Sequence, residues 1–120
     1  MSELVTVERL ENELVRLSGL LELATEEIRA KATDEARLES AYRKAKAVAY
    51  LSATGPVAER QAQVDKVCDE DRQKFYHARA LKESQTELLR SLRAQLDAWR
   101  TIAASHRAEA DLAGRAVNKR

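Results

Sequence analysis

Cysteine, proline, glycine and aromatic residues are all scarce in this sequence. It has one cysteine, one proline and three glycines, and aromatic residues make up 4% of the chain. The single cysteine excludes a disulfide within the chain. No stretch approaches the roughly 18 consecutive apolar residues that a membrane span needs, and no signal peptide is recognisable. We therefore expect a cytoplasmic protein without membrane contact.

Charged and helix-favouring residues are abundant instead. Charged residues make up 34% of the 120 residues and hydrophobic residues 44%. Many alanines, leucines and charged residues with few glycines and prolines are typical of long helices. The regular spacing of the hydrophobic residues argues against disorder. The composition predicts a single all-α domain.

Hydrophobic residues recur with the alternating three- and four-residue spacing of a coiled coil, and we call these positions the heptad seam. The spacing predicts one helix over about residues 3–53 and a second over about 57–113, followed by a basic tail, 114–120. The seam comprises Val7, Leu10, Leu14, Leu17, Leu21, Ala24, Ile28, Lys31, Glu35, Leu38, Tyr42, Ala45 and Ala49, then Val64, Cys68, Asp71, Phe75, Ala78, Lys82, Gln85, Leu89, Leu92, Leu96, Trp99, Ala103, His106 and Ala110.

The predicted turn, residues 54–56, contains Gly55 and Pro56. Glycine can adopt the left-handed conformation that ends a helix, and proline suits the start of the next one. A loop this short makes the two helices antiparallel neighbours. Folding at this turn pairs residue i with roughly residue 110 − i, and it brings Lys31 and Glu35 close to Phe75 and Lys82.

The charge distribution agrees with an antiparallel hairpin. Residues 1–39 contain ten acidic and five basic side chains, whereas residues 72–120 contain eleven basic and five acidic ones. Opposite charges beside an apolar seam favour this pairing. We interpret the polar seam residues as a layer that fixes the register of the two helices.

A second apolar stripe lies outside the seam. A single hairpin would leave it in water, so we expect self-association into a four-helix bundle or a larger assembly. A kinked first helix in a monomeric three-helix bundle is the alternative. The stripe comprises Val67, Leu81, Leu88 and Ile102 on the second helix. The first helix has extra apolar residues outside the seam, Leu4, Val15, Leu20 and Leu23.

No catalytic or metal-binding signature stands out. His106 and Cys68 fall on the seam, where a structural role is the simpler interpretation. Asp65 and Asp69 share a helix face and could hold Mg²⁺, as paired acidic motifs do in all-α nucleotide pyrophosphohydrolases. Only a first half of such a motif occurs, Glu8-Arg-Leu-Glu11. We expect no enzyme activity, cofactor, metal or small-molecule ligand, and keep a nucleotide hydrolase as an alternative.

Basic side chains form two groups that could contact a partner protein or nucleic-acid phosphates. One surrounds the turn and the other follows the second helix. These candidate contact residues are Arg43, Lys44, Lys46, Tyr50 and Arg60, and then Arg90, Arg93, Arg100 and Arg107.

Residues 41–110 resemble a loosely defined group of small helical proteins of tailed bacteriophages and prophages, often encoded near recombination or replication genes. The shared pattern is a Tyr- and Ala/Lys-rich helix end (42–51), the turn glycine Gly55, Ala58-Glu59-Arg60, and an Arg-rich helix, 92–100. The resemblance implies a non-enzymatic accessory factor of phage DNA metabolism in a bacterial host cell. Such a factor would act through a protein partner, with single-stranded DNA as a second candidate ligand. An inhibitor of a host or defence protein is the alternative function.

Overall fold

The computed structural model describes residues 6–118, and the regular elements in that range are all helices. They follow in the order α1, Val7–Ser52; α2, Val57–Val67; and α3, Asp69–Asn118. The all-α helical hairpin expected from the heptads is confirmed. Leu4 and the last two residues of the predicted basic tail lie outside the described residues.

Helix α1 begins at a threonine cap and continues without interruption for 46 residues. The side-chain oxygen of Thr6 accepts a hydrogen bond from the amide of Arg9 at 3.1 Å, which satisfies one of the first-turn amides that lack a partner within the helix. Further along the helix, the hydroxyl of Thr33 donates to the carbonyl of Arg29 at 2.9 Å, and the helix continues past this residue. The break that a three-helix alternative requires is therefore not present in α1.

The turn between α1 and α2 is held by its backbone and by one glutamine. Gly55 has a φ of 99°, in the left-handed region that favours glycine. A Cβ atom there would lie 2.7 Å from Oε2 of Glu59. Pro56 is the N-cap residue of α2. The side chain of Gln63 donates to the carbonyl of Thr54 at 2.9 Å and accepts from the amide of Thr54 at 3.3 Å.

The predicted second helix is interrupted at Cys68, which separates α2 from α3. Cys68 has φ −94° and ψ 6°, and its amide donates to the carbonyl of Val64 at 2.9 Å. Acidic residues 69–71 form the first turn of α3, where negative charge is favoured by the unpaired amides of a helix start. Helix α3 continues beyond residue 113, where the predicted second helix ended, passes through Gly114 and reaches Asn118.

Residues 26–87 form one compact unit, in which α1 packs antiparallel to α2 and the start of α3. Glu35 contacts Lys82, and the ring of Tyr42 lies 6.0 Å from that of Phe75. The residue numbers of both pairs add to 117, and those of Tyr50 and Gln61 near the turn add to 111, so these contacts lie up to seven residues beyond the rough expectation of 110. A shift of one heptad leaves every seam residue on the seam, so the spacing alone does not fix the register more closely than this.

The second compact unit contains the start of α1, up to residue 25, and α3 from residue 88 onward. Its core is a cluster of buried seam residues with Leu17 fully enclosed. The guanidinium of Arg9 lies 5.9 Å from the centre of the Trp99 ring, a cation–π contact. The cluster comprises Leu17, Ala24, Leu92 and Leu96, with Leu14, Leu21, Leu89 and Trp99 packed against it.

Burial follows the heptad seam closely in both units. Every seam residue from Leu10 to Ala49 and from Val64 to His106 is buried or half-buried. The outermost seam residues, Val7 and Ala110, are exposed. The predicted three–four spacing therefore identifies the side chains that hold the helices together.

Candidate interaction surfaces

A polar layer crosses the seam in the unit formed by residues 26–87. The Lys82 ammonium lies 2.5 Å from Oε2 of Glu35, an oxygen that has no access to solvent. The pair is close, but its angles are not those of a hydrogen bond. The Glu35 side chain is 13% exposed and that of Lys82 is 34% exposed. This is the polar layer that the sequence predicted, and its ions face each other rather than an open pocket.

Several ion pairs join close neighbours on one helix. Arg16 and Glu13 approach to 2.7 Å, and the hydrogen bond from Arg16 lowers the pKa of the Glu13 carboxyl. Glu39–Arg43 and Glu70–Lys74 are pairs four residues apart. Glu35–Lys82 joins an acid on α1 to a base on α3, whereas the local pairs are each worth only a few tenths of a kcal/mol.

The basic residues around the turn are held to different degrees. Arg43 binds Glu39 at 2.6 Å, and the Lys46 ammonium lies 5.4 Å from the centre of the Tyr42 ring. Within residues 6–118, Lys44 and Arg60 form no ion pair. Of the four basic side chains at the tip, Arg43 and Lys46 therefore contact other side chains of the hairpin, whereas Lys44 and Arg60 are available to a partner.

A short chain of hydrogen bonds braces the same tip. The Tyr50 hydroxyl donates to Oε1 of Gln61, and Nε2 of Gln61 donates to Oδ1 of Asp65 at 2.9 Å. This places Tyr50 in a structural contact rather than leaving it free for a partner. Sequence reasoning missed both Gln61 and Gln63, because a glutamine near a turn carries no distinctive pattern.

Two apolar side chains at the tip were also missed. Leu51 is 88% exposed and Val57 is 80% exposed, one on each side of the Gly-Pro turn. Below them, an open groove between α1 and α2 contains Val48 and Val67, both well exposed. Apolar residues immediately flanking a Gly-Pro turn are the signal that could have pointed to this surface.

The second apolar stripe is exposed where the sequence placed it. Val67 is 71%, Leu81 40% and Leu88 47% exposed, and Ile102 is half-buried. On α1, the extra apolar residues Val15, Leu20 and Leu23 are exposed as well. Large apolar side chains thus remain in contact with water outside the seam.

The second basic group lies on α3 in the unit that contains residues 88–118. Arg93, Arg100 and Arg107 are seven residues apart on one helix, so they share a face. Arg100 lies 3.7 Å from Asp97, both well exposed. Arg90 lies three residues before Arg93 and is engaged in an interaction of its own.

The acidic cluster that suggested Mg²⁺ is occupied by local contacts. Asp65 accepts from Gln61, and Asp69 accepts from Arg72 at 2.5 Å and from Gln73 at 2.8 Å. The bond to Asp69 raises the pKa of Arg72. Across the described part of the chain, no group of three or more His, Cys, Asp or Glu side chains is arranged to hold a metal ion.

Comparison with known proteins gives no relative for this chain. No protein-family model, curated protein or solved structure matches it. Among the helices of residues 6–118, none has both the length and the apolar character needed to cross a bilayer.

Proposed function

We propose that the chain is a non-enzymatic coiled-coil binding and assembly protein that associates with further copies of itself. The observation that carries the proposal is the apolar stripe on α3, which stays exposed although the heptad seam is already complete. Apolar side chains repeated along one helix face are costly in water and are covered in bundles. The first test of this proposal is the molar mass of the protein in solution, which must exceed the mass of a single copy.

The biological setting that we propose is phage DNA recombination or replication, in the cytoplasm of a bacterial host. It rests on the sequence resemblance over residues 41–110 and on the face shared by Arg93, Arg100 and Arg107. Contacts between three guanidinium groups and phosphates would give binding that weakens steeply with salt. A partner protein would supply the specificity that phosphate contacts lack.

Titration of single-stranded DNA tests the DNA contact directly. We expect binding at about 50 mM salt, measured by fluorescence anisotropy, and an affinity roughly 20-fold lower at about 200 mM salt. Replacing Arg93, Arg100 and Arg107 together with glutamine should make the negative slope of log K against log salt shallower by about two, since each single-strand contact contributes about 0.7.

The matched control replaces Arg16, Arg29 and Arg37 with glutamine, which removes the same charge from α1. This variant should retain the slope of the unaltered chain. Absence of binding at low salt, or an equal loss in both variants, would show that the face on α3 does not bind DNA.

Inhibition of a host or defence protein is the second candidate, and the exposed tip favours it. Leu51 and Val57 form an apolar point on a turn that Gln63 holds in place. A protruding apolar tip could fill a pocket on another protein. Under this function, Leu51→Ser would abolish capture of one defined host protein, and the glutamine substitutions on α3 would not.

A further inference from the structure

Helix α3 carries a second complete heptad, which we call the outer strip. Its eight residues each immediately precede a seam residue, so the strip is turned by about 100° from the seam. Seven of them are exposed and Ile102 is half-buried. The strip comprises Leu81, Ser84, Leu88, Ser91, Gln95, Ala98, Ile102 and Ser105.

The outer strip carries no charge. Between residues 81 and 105, α3 has seven charged residues, and none of them lies on the strip. A helix face that only meets water usually carries charged side chains. The uncharged strip is thus a face that can meet an identical face without bringing like charges together, which suits a second copy of this chain.

Large and small residues alternate along the strip. Leu81, Leu88, Gln95 and Ile102 are large and seven residues apart, and the four residues between and after them are serine or alanine. Two strips running parallel would oppose large to large and small to small, which leaves gaps. Two antiparallel strips oppose each large residue to a small one, which fills space evenly.

We propose that two copies pair antiparallel through their outer strips, about a two-fold axis near residue 93 of each α3. This proposal rests on the self-association proposed above and adds the surface, the direction and the register. In this register, the numbers of two residues that face each other across the interface add to 186. It is the register in which all eight strip residues have an opposed partner. The opposed pairs are Leu81 with Ser105, Ser84 with Ile102, Leu88 with Ala98, and Ser91 with Gln95 of the second copy.

The surroundings of the strip fit the same register. The centre pairs Ser91 with Gln95, and within one chain Nε2 of Gln95 already donates to Oγ of Ser91 at 3.4 Å. Two such pairs at the axis satisfy their polar groups with each other. The adjacent row of α3 residues, spaced by seven and running one position before the large strip residues, contains one charged residue, Glu87. Residue 99 of the second copy is level with it in this register, and Thr101 is the nearest residue of the same row. The row comprises Ala80, Glu87, Ala94, Thr101 and Ala108.

An arginine in the strip tests the surface. Ala98→Arg should weaken self-association by roughly 100-fold, because the interface would bury an unpaired charge. Ala104→Arg, on an exposed position of another α3 face, should associate like the unaltered chain. Light scattering over a concentration series measures both variants, and circular dichroism checks that each keeps its helices.

The outcomes separate this inference from the proposed function. An unaltered chain that stays monomeric overturns both. If Ala98→Arg associates as tightly as the unaltered chain, self-association stands and the outer strip is not its surface.

Disulfide trapping tests the direction of pairing. In a Cys68→Ala background, a Leu88→Cys chain and an Ala98→Cys chain should give a mixed disulfide when combined. Each chain alone should give none, because in the antiparallel register position 98 is about 15 Å from its own copy along the axis, beyond disulfide reach. Disulfides within each separate preparation would indicate parallel pairing, and no disulfide in any preparation would equally contradict the register.

Discussion

Leu17→Ala is expected to lower the free energy of unfolding by about 3 kcal/mol. Leu17 is fully buried in the cluster that includes Leu92 and Leu96. Truncation removes apolar contacts and leaves a cavity, since long helices held along their length cannot close in on one missing side chain. Urea unfolding followed by circular dichroism, at one fixed protein concentration, measures the loss.

The matched control is Leu112→Ala, the same truncation at a side chain that is well exposed on α3. It should change stability by less than about 0.5 kcal/mol. Equal effects of the two substitutions would mean that the buried cluster does not hold α1 and α3 together.

Lys82→Met should destabilise the chain by about 2 kcal/mol, the second largest effect we expect. The substitution keeps an unbranched apolar side chain, one atom shorter, and removes the ammonium that faces the buried Oε2 of Glu35. A carboxylate left without its partner in a buried site typically costs about 3–5 kcal/mol. We expect less because Lys82 is one-third exposed, so water reaches part of the site.

Removing both ions should restore stability. A Glu35→Leu, Lys82→Leu variant is expected to be at least as stable as the unaltered chain, since apolar pairs often replace buried ion pairs without loss. Lys74→Met is the control, because the Lys74–Glu70 pair is well exposed and should contribute less than about 0.5 kcal/mol. A Lys82→Met variant that is as stable as the unaltered chain would contradict the role of the polar layer.

The seam could be read from the sequence because its cause is local. Apolar side chains with a three–four spacing lie along one face of a helix, and packing that face against another helix removes them all from water. The polar seam residues Lys31, Glu35 and Asp71 are half-buried too. This is expected because the three–four spacing continues through them without interruption. Periodicity thus predicted which side chains pack without any knowledge of the partner helix.

The register and the break at Cys68 could not be predicted in the same way. Registers that differ by seven residues bury the same seam, so the choice depends on the detailed packing of pairs such as Tyr42 with Phe75. The break occurs in Val67-Cys68-Asp69, where neither glycine nor proline marks it. Its only local hint is the acidic run 69–71, which suits the first turn of a new helix.

The candidate surfaces were only partly accessible to sequence reasoning. The stripe containing Leu81 and Leu88 was found because its members are large and apolar. The complete outer strip includes serines and one glutamine, which hydrophobic periodicity does not register. Recognising it required knowing that α3 is one unbroken helix over residues 69–118 and that these side chains are exposed.

The molar mass of the unaltered chain tests the central claim most directly. Size-exclusion chromatography with light scattering, run over a concentration series, reports how many copies associate. With a chain mass of 13.5 kDa, we expect about 27 kDa or a higher multiple at micromolar concentration. A constant 13.5 kDa up to about 100 μM would contradict the claim that the exposed faces of this hairpin are assembly surfaces.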